Sequence, residues 1–156
     1  GLSAFGQFDV RVTPLQIAMV SAAIANGGSM MRPYLVENVL SSNLAILAAT
    51  RPSEYGRPIN DATAKSIREM MVEAVAHGVS GNGAIPGVTV AGKTGTAQNG
   101  EGEPYTLWFT GFAPAKNPKV AVAVVIADGG GQGQNGRGNS LAAPVARAVM
   151  KAVLNR

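Results

Sequence analysis

Residues 88–97 read VTVAGKTGTA, and this stretch decides between two folds. With Gly87 it fits GxxxxGK[ST], the pattern of a loop that cradles nucleotide phosphates. Such a loop requires a helix that begins near its lysine, because the helix N-terminus helps to hold the phosphate. Three glycines and a proline lie within the ten residues that follow Thr94, at 95, 100, 102 and 104. They oppose a helix, so the stretch is predicted to be a β-strand.

The predicted strand carries a candidate anion-binding site. A regular strand places Lys93 and Gly95 on one face and Thr94 and Thr96 on the other. A mobile cation and two hydroxyl groups suit an anionic ligand, and Gly95 leaves room for a ligand backbone beside the strand. The structural alternative is a polar edge strand whose lysine is merely solvated.

Three helices are predicted around this strand. The first, 15–25, begins with the capping pattern Thr13-Pro14-Leu15-Gln16 and is apolar almost all round, which predicts a buried helix. The second is capped by Asp61 and ends at Gly78. Its stripe of apolar residues at helical spacing predicts a core face, formed by Ile67, Met70, Met71, Ala74 and Val75. The third is capped by Ser140 and runs to about Asn155. His77, at the end of the second helix, is interpreted as structural.

Four strands are predicted, at 30–40, 88–97, 105–112 and 120–127. The first is of edge type because of Pro33, and the connector 41–58 is left open to a second strand of the same hairpin. Short turns join the last three strands, which predicts an antiparallel meander. The apolar run 120–127 predicts a strand covered on both faces. We therefore predict an α+β fold, one antiparallel sheet with helices packed on its faces, in a single domain.

Composition excludes several classes of function. The chain has 156 residues, a net charge of +4, one histidine and no cysteine. A disulfide scaffold, an iron–sulfur cluster, a thiol nucleophile and a histidine-rich metal site are therefore not expected. The basic residues are dispersed without interleaved aromatics, so no nucleic-acid partner is expected. No cofactor and no metal are expected either. The glycines of 129–133 resemble a dinucleotide turn, but Ser140 is too far away for them to open the next helix.

The order of motifs resembles the transpeptidase domain of penicillin-binding proteins. The resemblance rests on four segments: FGQFDVRVTPLQIA at 5–18, ANGG at 25–28, VTVAGKTGT at 88–96 and WFTGFAP at 108–114. Their details are more similar to class B proteins of the penicillin-binding protein A type than to bifunctional class A proteins. The resemblance covers essentially the whole chain and implies part of a β-lactamase/transpeptidase-like fold.

The resemblance also implies an activity. The members of the family that the chain resembles are serine D,D-transpeptidases of peptidoglycan synthesis, and they bind β-lactams. Peptidoglycan synthesis serves cell shape and division. By motif, Lys93 supplies charge and hydrogen bonds, and the Thr94 and Thr96 hydroxyls bind the substrate carboxylate. The Thr96 N–H forms half of the oxyanion hole. The catalytic candidates are thus Lys93 and Thr96, and the substrate-binding candidates are Lys93, Thr94, Gly95 and Thr96. Such a protein is expected outside the cytoplasm, anchored to the membrane by a segment not in this chain.

The chain departs from this resemblance at the nucleophile. None of its nine serines is followed by a lysine three positions later, as Ser-x-x-Lys requires. The second motif of that family, Ser-x-Asn, has two matches in this chain, at 41–43 and 80–82. Both are interpreted as coincidental. Residues 1–156 are therefore interpreted as the C-terminal part of a transpeptidase domain, which is inactive alone and is partnered by an N-terminal segment. Without that segment the chain is expected to expose apolar surface that favours self-association. The alternative is a non-catalytic scaffold module of the same fold.

Overall fold

The computed structural model describes residues 3, 6, 7 and 10–155. Residues 1, 2, 4, 5, 8, 9 and 156 lie outside this description. Three positions of the FGQFDVRVTPLQIA segment, Phe5, Phe8 and Asp9, are therefore among the residues not described.

Helix α1, Pro14–Ala25, begins where the sequence predicts. The Thr13 hydroxyl accepts a hydrogen bond from the Gln16 N–H at 3.2 Å, and the Thr13 N–H donates to the Gln16 carboxamide oxygen at 2.8 Å. The prediction that this helix is buried all round is wrong. Its Leu15 is 56% exposed and Val20 46% exposed, because the helix packs on the sheet with one side only.

The predicted strand 30–40 is interrupted, and its halves belong to different sheets. Strand β1, Met30–Met31, pairs antiparallel with β4, Glu54–Gly56. Strand β2, Asn38–Leu40, pairs antiparallel with β3, Ile46–Ala49, which is the second hairpin strand left open within the connector. The prediction of a single sheet is therefore wrong, since two short two-stranded sheets accompany the main sheet. Pro33 lies between β1 and β2, where its missing N–H would weaken any strand.

Helix α2, Asp61–Ala76, is capped by Asn60 and not by Asp61. The Asn60 side chain accepts from the Thr63 N–H at 2.8 Å. The predicted core face is correct for Met71, which is 6% exposed, and wrong for Met70, which is 63% exposed. At roughly 100° per residue, Met70 lies well round the helix from the buried line of Met71 and Val75.

The main sheet is the predicted antiparallel meander. It consists of β5, Ala91–Ala97; β6, Thr106–Ala113; and β7, Val120–Ile126, in that spatial order and with unbroken register. Helix α1 packs on one face and the last helix, α3, on the other. The α+β class with helices on both faces of an antiparallel sheet is thus confirmed. As predicted, β7 has a helix on each side, although its Val125 stays 38% exposed because β7 is an outer strand.

Helix α3, Gly138–Leu154, begins two residues before the predicted cap Ser140. It covers the larger of two core clusters, in which Phe109 of β6 meets Ala142, Ala146 and Met150. The smaller cluster gathers Phe112 with residues of α1 and α2. The glycine-rich loop forms two short 3-10 turns, Asp128–Gly131 and Gly133–Asn135, and α3 begins only after both.

Candidate active site

The pleat of β5 places the four candidate residues as the sequence predicts. Lys93 lies opposite Thr110 in β6, and Gly95 lies opposite Trp108. Cross-strand partners share a face, so these residues lie on the α1 side of the sheet. Thr94 and Thr96, at the alternate positions, belong to the α3 side.

Among the described residues only β6 pairs with β5, so the outer edge of β5 carries no second strand there. The Thr94 N–H points to that edge and donates to the Ser80 hydroxyl at 3.2 Å. The Thr96 carbonyl also points there and accepts from the Gln7 carboxamide at 3.4 Å. In an extended strand the N–H and C=O of one residue face the same edge. The Thr96 N–H is therefore directed outward, into the space beside the strand.

That space is a cleft of about 560 Å³. The residues 93–96 line it, together with Val12 and Ile17 from the start of α1 and Trp108 and Thr110 from β6. The structure thus brings all four candidate residues to one concave site that combines an apolar wall with a few polar groups. This combination is typical of small-ligand sites.

The charge of the cleft favours an anionic ligand. Lys93 is exposed, and its ammonium group donates a hydrogen bond to the Thr94 carbonyl. The Arg11 side chain lines the same cleft. Among the described residues that line it, none is an aspartate or glutamate. The exposed Lys93 ammonium group makes this part of the cleft a suitable environment for a carboxylate ligand.

Ser80 holds the candidate strand from outside the sheet, and the sequence analysis missed this role. Its side chain is fully buried, and its hydroxyl accepts the Thr94 N–H. The neighbouring Asn82 is bound to Asn139 of α3, with its N–H 3.0 Å from the Asn139 side-chain oxygen. Nothing in the sequence around Ser80 indicates that a turn from 80 to 83 docks onto β5. The other Ser-x-Asn match lies at the tip of the β2–β3 hairpin.

Replacement of Ser80 by alanine should lower the free energy of unfolding by about 1–2 kcal/mol, because the Thr94 N–H then loses its partner in a partly buried setting. Urea unfolding followed by the fluorescence of Trp108, the single tryptophan, measures this. Ser66→Ala is the matched control. The Ser66 hydroxyl only bonds back to the Ala62 carbonyl on the exposed surface of α2, so its removal should change little. Equal effects of the two substitutions would contradict the proposed support of β5.

A second contact that the sequence does not predict joins α1 to the sheet next to Lys93. The Ser21 and Thr110 hydroxyl oxygens lie 2.6 Å apart, and the Thr110 hydroxyl donates to the Val122 carbonyl at 3.0 Å. Ser21 is 1% exposed. Because Thr110 is the cross-strand partner of Lys93, this partly buried bond holds α1 against β6 beside the strand that carries the lysine.

Helix α3 packs on the opposite face of the sheet, and Gly138 in its first turn lies against the strands. A Cβ atom at Gly138 would lie 2.3 Å from the Trp108 carbonyl oxygen and 2.7 Å from that of Gly95. No side chain fits between helix and strand there. The first turn of α3 therefore rests on the backbone of the candidate strand.

The nucleotide-loop interpretation is excluded by this geometry. Residues 91–97 form a strand, and the described chain continues into a turn region before β6 instead of a helix. Across the described residues, no three carboxylate or histidine side chains come together as a metal site would need. Nor does any helix in the described part have the length and apolar character needed to cross a bilayer.

Comparison with known proteins identifies the family. The model of the penicillin-binding protein transpeptidase domain matches residues 1–151. The peptidoglycan D,D-transpeptidase PbpA of Mycolicibacterium smegmatis is 45% identical over 99% of this chain and 32% of its own length. Stage V sporulation protein D of Bacillus subtilis is 35% identical over 96% of this chain and 24% of its own length.

Solved structures agree with this match. The ceftriaxone acyl-enzyme complex of penicillin-binding protein A from Mycobacterium tuberculosis superposes with a TM-score of 0.90 at 43% identity. That comparison covers 98% of this chain and 35% of the other. The chain thus spans about a third of the length of the similar penicillin-binding protein A sequences and structures. With the motif order, the meander and the strand-edge cleft in agreement, the chain belongs to the penicillin-binding protein transpeptidase domain family.

Proposed function

We propose that this chain supplies the Lys-Thr-Gly wall of the active site of a serine D,D-transpeptidase, which cross-links peptidoglycan stem peptides and is acylated by β-lactams. The observation that carries the proposal is the direction of the Thr96 N–H. It points from the open edge of β5 into a cleft that also holds Lys93. A backbone donor fixed in a strand and aimed into a cleft is what stabilisation of an oxyanion requires.

The proposed reaction is acyl transfer through a covalent intermediate. The hydroxyl oxygen of the nucleophilic serine bonds to the carbonyl carbon of the penultimate D-Ala, and the bond from that carbon to the terminal D-Ala nitrogen breaks. The released D-Ala leaves as the amine after taking up a proton. An amine of a neighbouring stem peptide then attacks the ester and regenerates the serine. With a β-lactam, the same attack opens the ring, and the acyl group stays on the serine.

Each candidate residue has a proposed part in this reaction. The Thr96 N–H binds the oxygen on which negative charge develops, and the Lys93 ammonium contributes positive charge beside the substrate carboxylate. The hydroxyls of Thr94 and Thr96 hydrogen-bond that carboxylate. Gly95 keeps the strand free of a side chain where the ligand backbone lies. Lys93 and Thr94 both line one cleft, which supports a shared ligand.

The nucleophile is proposed to come from a segment outside these 156 residues. None of the nine serines has a lysine three positions later. Buried Ser80 and Ser21 use their hydroxyls in structural hydrogen bonds. We therefore propose that residues 1–156 are the C-terminal part of a transpeptidase domain, completed by an N-terminal segment. We also propose that the whole protein acts outside the cytoplasm and is anchored to the membrane by a segment not in this chain.

The labelling test compares two forms of the protein. The 156-residue chain alone should show no covalent labelling by a fluorescent penicillin, whereas the full-length protein encoded by the gene should be labelled in one serine. Gel fluorescence after denaturation measures both, and pre-incubation with unlabelled penicillin G serves as the control.

Two outcomes would contradict the proposal. Labelling of a serine within the isolated 156-residue chain would show that the nucleophile is here after all. A full-length protein that stays unlabelled would favour the non-catalytic scaffold module.

Light scattering on the isolated chain also tests the proposed self-association, for which the exposed Leu15 and Val20 of α1 provide the apolar surface.

A further inference from the structure

The carboxamide of Gln7 occupies the open edge of β5 next to the proposed oxyanion donor. Its nitrogen donates to the Thr96 carbonyl at 3.4 Å, and its oxygen accepts from the Gln98 N–H at 3.3 Å. One donor and one acceptor, bound to residues two apart on a strand, reproduce the N–H and C=O that one residue of a parallel neighbouring strand would offer. Gln7 thus imitates a short piece of a paired strand.

Other side chains occupy the neighbouring positions of this edge. The Thr94 N–H is bound to the Ser80 hydroxyl, and the Thr94 carbonyl accepts from the Lys93 ammonium group. Within the described part of the chain, no side chain accepts a hydrogen bond from the Thr96 N–H, whereas the Gln7 carboxamide donates one to the Thr96 carbonyl. A ligand at this edge can therefore accept from the Thr96 N–H directly. It can donate to the Thr96 carbonyl only if it displaces the Gln7 carboxamide.

An extended ligand needs both groups of Thr96. When two antiparallel residues form a hydrogen-bonded pair, each gives its N–H to the other and accepts with its C=O. The residue whose carbonyl oxygen receives the Thr96 N–H therefore directs its own N–H at the Thr96 carbonyl. In the proposed substrate that residue is the penultimate D-Ala. In a penicillin, the acylamino N–H stands beside the lactam carbonyl in the same relation.

We propose that Gln7 is a specificity-determining residue, whose carboxamide holds the Thr96 carbonyl until a ligand N–H displaces it. This inference rests on the proposed function. Both hydrogen bonds of Gln7 are longer than the usual range of about 2.7–3.2 Å, so the carboxamide is held weakly and can be exchanged. Ligands with an amide N–H beside the reacting carbonyl bear the cost of displacing it. Ligands that lack this N–H leave Gln7 in place.

The test uses the full-length protein and two ligands that differ in this one group. Penicillin G carries the acylamino N–H, and penicillanic acid has hydrogen in its place. Second-order rates of acylation are measured by competition with a fluorescent penicillin. Gln7→Ala should accelerate acylation by penicillin G by about threefold to tenfold, the effect of removing one weak competing hydrogen bond. Acylation by penicillanic acid should stay within about twofold of its original rate.

A second variant protects the test against a folding defect. Gln7→Glu keeps the length and the acceptor for the Gln98 N–H but has no N–H for the Thr96 carbonyl, so it should shift the ratio of the two rates in the same direction. Gln134→Ala is the matched control, because the Gln134 carboxamide donates to the Glu103 carbonyl outside the cleft. It should leave the ratio unchanged.

The outcomes separate the two proposals. If both Gln7 variants acylate at an unchanged ratio of rates, or slow both ligands equally, Gln7 is only a structural clamp and the inference is wrong, while the proposed function stands. If the unsubstituted full-length protein is acylated by neither ligand, the proposed function is wrong, and the inference falls with it.

Discussion

Replacement of Lys93 by alanine in the full-length protein should lower the rate of acylation by penicillin by about 100-fold. A factor of that size corresponds to about 2.7 kcal/mol of transition-state stabilisation, within the range for a hydrogen bond to a charged group. The reason is the position of the ammonium group in the cleft beside Thr94, where we propose that it binds the ligand carboxylate. Time-resolved labelling with a fluorescent penicillin measures the rate.

Two further variants make the Lys93 result specific. Lys116 is exposed in the turn between β6 and β7, so Lys116→Ala removes the same charge far from the cleft and should not change the rate. Lys93→Arg keeps the charge but changes the shape of the donor, so it should recover part of the loss. Labelling of Lys93→Ala at the original rate would exclude Lys93 from the site.

The parts of the fold that could be predicted are those that short segments determine. The start of α1 follows from Thr13 and Gln16, whose reciprocal hydrogen bonds need no other part of the chain. The meander follows from short turns between apolar strands. The errors lie where two local signals compete: Asn60 and Asp61 are both good caps, and Asn60 is the one used.

The site could be predicted only in part, for the same physical reason. Residues 93–96 can be proposed as site residues from the sequence because their side-chain chemistry and their strand are local, and their role stays a prediction. Gln7, Ser21 and Ser80 were not assigned roles because their partners are distant: Gln7 and Ser21 each bind residues some ninety positions away. A hydroxyl or carboxamide carries no signal in the sequence of the partner that folding will bring to it.

The substitution Gly138→Ala should destabilise the protein by about 2–3 kcal/mol, and the sign of the effect tests the packing of α3. Local helix propensity predicts the opposite, since alanine favours a helix over glycine by about 1 kcal/mol. The sheet decides the outcome, because the added Cβ would lie 2.3 Å from the Trp108 carbonyl oxygen. Urea unfolding followed by Trp108 fluorescence gives the free energy. Gly56→Ala, which has open space around its Cβ, is the control and should change little.

The same substitution connects stability to the site. The second atom that the new Cβ would meet is the Gly95 carbonyl oxygen, at 2.7 Å, on the strand that carries the Thr96 N–H. Backbone atoms in a paired strand cannot move singly, so either α3 retreats or the pairing of β5 with β6 is distorted at Gly95. In the full-length protein Gly138→Ala should therefore slow acylation as well as lower stability. A variant as stable as the original, or more stable, would show that α3 does not rest on the backbone of β5.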